Sequence, residues 1–128
     1  MSVQMVFYVG LGGAIGAIAR FMTMSVIGHY FHGTFPWGTF AVNIIGSFVL
    51  GALIEVTALQ WSPSPEIRAM IVVGLLGAFT TFSTFSMDAY YLIDRGAITE
   101  GALYIMGSVL LCIMGFWAGM SLFRSVLS

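Results

Sequence analysis

From Gly101 to Phe123 the chain carries no Asp, Glu, Lys, Arg or His. A helix needs roughly 20 apolar residues to cross the hydrocarbon core of a bilayer, and this run supplies them without a break. Three other stretches share its character. They run over about 3–27, interrupted by Arg20; over 37–59, containing Asn43 and Glu55; and over 67–93, with Asp88 near the end. None shows the alternation of polar and apolar residues that a membrane β-strand requires. The expected fold is therefore an all-α integral membrane protein, with four transmembrane helices in one domain spanning residues 1–128. Turn signals separate the helices: His29 to Gly33, Trp61 to Pro65 with its two prolines, and Asp94-Arg95-Gly96.

Composition narrows the function. Of 128 residues, 59% are hydrophobic and 7% charged, against about 25% charged in a soluble domain. That excludes an ordinary soluble enzyme and a disordered tail, and makes membrane lipid the surrounding medium. The four basic residues are all arginine and the net charge is −1, too little to hold a phosphate backbone, so nucleic acid is excluded as a partner. The lone Cys112 makes no intrachain disulfide and, by itself, no thiolate metal site. The N-terminus lacks the basic region of a secretory signal, so the first segment is expected to be retained.

Arginine asymmetry normally sets membrane orientation. Here Arg68 and Arg124 fall on the face of the N-terminus, and Arg20 and Arg95 towards the other. The tie has two readings: a weak signal, or insertion in both orientations with assembly as an antiparallel pair. Small residues four apart favour close helix contact, within or between subunits. Gly12 and Gly16 are such a pair, as are Ser47 and Gly51, and Gly107, Leu111, Gly115 and Gly119 form a longer stripe.

Polar groups inside hydrocarbon are costly and so informative. Thr39, Asn43 and Ser47 share one face of the second segment, and Tyr104, Ser108 and Cys112 one face of the fourth. Singly, such residues glue helices together; as two stripes they can form a narrow polar track. The third segment reads Gly77-Ala-Phe-Thr-Thr-Phe-Ser-Thr-Phe-Ser86, with five hydroxyl residues within seven positions. Hydroxyls can bond the backbone of their own helix and bend it. Alternatively the helix breaks near Gly77 to Thr81. A break frees carbonyls that can hold Na⁺ and N–H groups that favour an anion. Phe82 and Phe85 share a face; such pairs usually pack, but the positive edge of a ring can also meet an anion.

Taken together, Gly12 to Arg20, Trp37-Gly38-Thr39 with Val42-Asn43, and the run Gly77 to Ser86 resemble the Fluc (CrcB) family of fluoride channels over essentially the whole chain. The resemblance implies four-helix subunits paired as an antiparallel, dual-topology homodimer, with the third helix broken near mid-membrane. It implies passive, selective fluoride export across the inner membrane, with fluoride as the ion and no enzymatic activity. By residue, it makes Thr39, Asn43, Phe82, Phe85, Tyr104, Ser108 and Cys112 the fluoride pore. The carbonyls of Gly77 and Thr80, from both subunits, would hold a central structural Na⁺; no organic cofactor is implied. Arg20 matches an arginine near the end of the first helix. Three positions depart from the family pattern: Cys112 stands where serine is expected, Asp88 where glutamate is common, and Ala78 where a second glycine is frequent.

Two other readings explain less. A proton-coupled exporter of the small multidrug resistance type needs a carboxylate deep in its first helix, and this segment has none. A non-transporting assembly protein would suit the glycine stripes, yet leaves the two polar stripes and the Phe pair without a shared purpose. His29 and His32 could bind a metal, but with no third ligand nearby they read as solvated turn residues.

Overall fold

A computed structural model describes every residue from Met1 to Ser128. The chain is all-helical, and four stretches are long and apolar enough to cross a membrane: Val3–Tyr30, Trp37–Leu59, Pro65–Asp94 and Ile98–Leu127. Helices α1 (Val3–Tyr30) and α2 (Trp37–Leu59) are continuous. The third span is composite: α3 (Pro65–Ala69), a π-helical segment (Met70–Leu76), α4 (Gly77–Phe79) and α5 (Phe82–Asp94), with Thr80 and Thr81 extended between the last two. Helix α6 (Ile98–Leu127) completes the chain.

Local chemistry explains the ends. Ser2 caps α1 by accepting from the Met5 N–H at 3.0 Å, and Ser64 caps α3 by accepting from the Ile67 N–H at 3.3 Å, with Pro65 in the first turn. The ends of two helices, α1 and α6, differ from the sequence expectation. His29 and Tyr30, placed there in a turn, form the last residues of α1: nothing before Gly33 opposes a helix, and the Phe31 N–H still reaches the Ile27 carbonyl at 2.8 Å. Helix α6 takes in Glu100 in its first turn and Arg124 in its last. Each charge there sits at the end of the helix dipole that suits it.

Because each connection returns the chain to the opposite face, α2 and α6 run parallel. Their backbones touch. A Cβ at Gly51 would run into the carbonyl oxygen of Phe116, and one at Gly119 into that of Phe48. The glycine stripe of α6 is therefore used inside the subunit. Helix α1 packs against the π segment in the same manner, with Gly12 facing the Met70 carbonyl and Gly16 the Leu75 carbonyl. Two glycines four residues apart thus meet two carbonyls five residues apart, the spacing that i→i+5 bonding provides.

The interruption at Thr80–Thr81 redirects the third span. Before it, the π segment and α4 pack on α1; after it, α5 packs on α6 and makes no contact with α1. A small core forms where α5 meets α6, from Phe85, Ala89, Leu92 and Tyr104. At the opposite end Arg124 joins α6 to α2 through both guanidinium arms, with Nε 3.1 Å from Oε1 of Glu55 and Nη2 3.3 Å from Oε2. Arg124, counted from sequence as a surface charge, is a partner for the buried Glu55. Large apolar side chains such as Phe7, Phe21 and Trp117 are exposed on the outside, as they are on a helix bundle that meets lipid.

Gly51 and Gly115 separate close approach from ordinary contact. A Cβ at Gly115 would sit 3.6 Å from the Ile44 carbonyl oxygen, within normal van der Waals range. Gly51→Ala should cost about 2 kcal/mol or more, while Gly115→Ala should change stability by less than about 0.5 kcal/mol. Thermal unfolding of the purified variants in detergent checks both.

Candidate functional site

At the interruption, α2, the third span and α6 enclose an open recess of about 370 Å³. Helix α2 contributes Asn43 and Ser47; the third span contributes Gly77, Thr80, Thr81, Phe82 and Phe85; α6 contributes Ser108 and Cys112. Gly46, Leu50, Val72, Leu76, Val109 and Ile113 complete the wall, so a few polar groups stand in an apolar setting.

The geometry rests on one side-chain amide. Asn43 donates from Nδ2 to the Thr81 carbonyl at 3.1 Å, and its Oδ1 accepts from the Thr81 N–H at 2.7 Å. In a continuous helix that N–H would bond to the Gly77 carbonyl. The Thr84 N–H, which would bond to Thr80, is instead accepted by the Thr81 hydroxyl at 3.2 Å, making Thr81 the N-cap of α5. Asn43 and Thr81 together therefore leave the carbonyls of Gly77 and Thr80 without their helical donors. Carbonyl oxygens are hard donors and suit a hard cation.

The hydroxyl run divides its work. Thr80 and Ser86 bond back to their own helices, Thr80 Oγ1 to the Leu76 carbonyl at 3.0 Å and Ser86 Oγ to the Phe82 carbonyl at 3.0 Å. The Thr81 hydroxyl also donates to Thr84 Oγ1 at 3.1 Å. On α2, Ser47 returns its proton to the Asn43 carbonyl at 2.7 Å. Ser108 differs from all of these. Its Oγ is buried and finds no partner in the protein. An unpaired buried hydroxyl costs about 1–3 kcal/mol, so this group is free for whatever enters the recess. The second hydrogen of the Asn43 Nδ2 is likewise without a protein acceptor.

The two phenylalanines have unlike surroundings. Their rings are 5.4 Å apart and tilted at 45°, but Phe85 is 8% exposed while Phe82 is 77% exposed at the rim. Behind Phe85 stands Tyr104, fully buried, with ring centroids 5.1 Å apart. Its hydroxyl donates to Asp88 Oδ2 at 3.1 Å. Of the residues singled out from sequence, Asn43, Gly77, Thr80, Phe82, Phe85, Ser108 and Cys112 line the recess. Thr39 and Tyr104 are buried outside its wall, and Asp88 is joined to it only through Tyr104. Arg20 lies on α1, away from the recess, with no carboxylate within ion-pairing distance. Ser47 and Thr81 also line the recess, and Thr81 carries its geometry with Asn43. The four-residue spacing marks Ser47 only as a member of a face, and Thr81 is one hydroxyl among five.

Comparison with known proteins identifies the family. The family model described as CrcB-like protein, Camphor Resistance (CrcB), matches residues 7–120. The chain belongs to the CrcB family. It is 44% identical over 125 residues to the fluoride-specific ion channel FluC of Rhodospirillum centenum, covering 98% of this chain and 99% of that protein. It is 43% identical over 127 residues to the FluC of Hahella chejuensis, covering 99% and 100%, and 46% identical over 117 residues to that of Chelativorans sp., covering 91% and 94%. Membership makes this a multi-pass membrane protein of a channel family, and not an enzyme.

The amide of Asn43 should be indispensable to the fold at the recess. Asn43→Leu leaves the Thr81 N–H and carbonyl both unpaired, at about 1–3 kcal/mol each. The variant should lose several kcal/mol by that count and yield little folded protein. Monodispersity on gel filtration with a thermal melt reads this directly.

Proposed function

We propose that the protein is a fluoride-selective channel that lets fluoride leave the cell passively across the inner membrane. The observation that carries this reading is the recess: an unpartnered buried hydroxyl at Ser108 and a free amide hydrogen at Asn43 stand beside the rings of Phe82 and Phe85. Fluoride is small and strongly hydrated. A pore must replace its water with donors and ring edges, while holding the ion weakly enough to release it. Relatives that match over nearly their full length are named fluoride-specific ion channels. Neutral HF enters from acid surroundings and dissociates in the cytoplasm. A membrane potential negative inside then drives the trapped anion out, with no need of ATP.

The working unit is an antiparallel homodimer inserted in both orientations. The exposed rim ring of Phe82 and the two-against-two arginine count support it. At its centre Na⁺ binds as a structural ion that is not transported, held by the Gly77 and Thr80 carbonyls of both subunits. One subunit offers two such oxygens, so a second copy is needed to surround the ion. The hard character of these oxygens, released by the Asn43–Thr81 bonds, supports Na⁺. Cys112 and Ser108 line the track from α6. Thr39 and Tyr104 extend it beyond Phe85, and Asp88 orients the Tyr104 hydroxyl.

Purified protein in liposomes should pass fluoride and exclude chloride. Phe82→Ile and Phe85→Ile keep an apolar side chain but remove the ring quadrupole. If ring edges stabilise the partly dehydrated ion by even about 2.7 kcal/mol at the limiting step, each should lower flux per assembled dimer roughly a hundredfold. Fluoride efflux equal to that of empty liposomes in the wild type would refute the channel reading. Near-normal efflux in both assembled variants would assign the rings to packing.

The dimer and its ion are tested together. C-terminal reporters should appear on both faces of the membrane, and replacing Na⁺ with a large organic cation should lower dimer content and flux in parallel. One-sided reporters in a conducting fusion would refute dual topology. Unchanged stability and flux after exhaustive exchange would refute the structural ion.

A further inference from the structure

We infer that the loop between α1 and α2 is a strap, and that its Phe35 is a positioning residue that holds Tyr104, and through Tyr104 the Phe85 ring, in the geometry that conduction needs. The inference rests on the channel reading above and names a further residue for that same site.

The loop runs from Phe31 to Pro36 and turns at Gly33, whose φ of 114° suits glycine. It is tied to the first turn of α6 and to the turn between α5 and α6. Thr34 Oγ1 donates to Glu100 Oε2 at 2.8 Å, and Arg95 Nη2 donates to the Thr34 carbonyl at 3.1 Å. The next residue, Phe35, turns inward. Its ring meets Tyr104 edge-on, with centroids 5.5 Å apart and planes at 85°; it meets Phe40 at 5.5 Å and 78°, and lies 4.5 Å from Trp37. Glu100 and Tyr104 are four residues apart on α6, one above the other. Two consecutive loop residues therefore grip α6 at points one turn apart, one by a hydrogen bond and one by a ring.

The contact chain then continues to the recess. Tyr104 packs on Phe85 at 5.1 Å and Phe85 on Phe82 at 5.4 Å. The Tyr104 hydroxyl bonds to Asp88 and lies within hydrogen-bonding reach of Thr39; both partners hold only the tip of the side chain and leave the plane of the ring free to swing. Phe35 and Phe40 close off that swing, and Phe35 is the one delivered by a loop rather than by the α2–α6 contact. Edge-to-face geometry is a property of the ring, so a branched aliphatic of similar size fills the space without fixing the angle.

The test uses full-length protein in liposomes with Phe35→Leu, Phe35→Tyr and Thr34→Val, each scored as fluoride flux per assembled protein. Phe35→Leu should lower flux roughly tenfold and Phe35→Tyr should restore it to within about twofold. Thr34→Val is exposed and nearly isosteric; it loosens the strap without disturbing the core and should lower flux about threefold. A purely structural Phe35 would reduce the yield of assembled protein and leave flux per assembled protein unchanged. That result, or equal loss in Phe35→Leu and Phe35→Tyr, overturns the inference. If the wild type passes no more fluoride than empty liposomes, the channel reading fails separately. Positioning is then judged on thermal unfolding of Phe35→Leu, Tyr104→Leu and the double variant. Strictly additive shifts overturn it, and a double variant no less stable than the worse single one supports it.

Discussion

A single amide bonds to both backbone groups of one residue, and the rest of the site follows from that exchange. Asn43 takes the Thr81 N–H and supplies a donor to the Thr81 carbonyl. In hydrocarbon an interrupted helix is tolerable only where its freed backbone groups find partners. Asn43 supplies two of them from a neighbouring helix, and Thr81 supplies another by capping α5. With those needs met, α5 is free to leave α1 and pack on α6, and the space left at the change of partner is the recess. The same bonds turn the Gly77 and Thr80 carbonyls loose.

Backbone contact between helices makes the framework stiff enough to hold such a site. Lipid tails are as apolar as the side chains they touch, so helix association depends on close packing rather than on burial of apolar surface. Gly51 and Gly119 bring α2 and α6 together, while Gly12 and Gly16 bring α1 onto the π segment. At one end the α2–α6 pair is fastened by Glu55 and Arg124, and at the other by the contact of Phe40 with Tyr104. A buried carboxylate is strongly unfavourable without a partner, so Arg124 is a structural necessity for Glu55 as well as a charge near the membrane surface. The recess lies between these two fastenings, with Asn43 and Ser108 on helices that cannot slide against each other.

Membrane class and the existence of four spans were decided by the sequence alone, because a chain with 7% charged residues has no way to cover a soluble surface. Helical periodicity also placed Thr39, Asn43 and Ser47 on one face, and Tyr104, Ser108 and Cys112 on another. What periodicity leaves open is which neighbour each face meets and at what depth. Tertiary structure decided that Asn43 faces a broken backbone, that the Ser47 proton returns to its own helix, and that Ser108 keeps a free hydroxyl. It also decided that Tyr104 stands behind Phe85 and Thr39 is buried outside the recess wall, that Arg124 belongs to Glu55, 69 positions earlier, and that the glycine stripe of α6 serves α2. The physical reason is the same in each case. A hydrogen bond or a backbone contact is made by two partners, and a residue's own neighbours along the chain record only one of them.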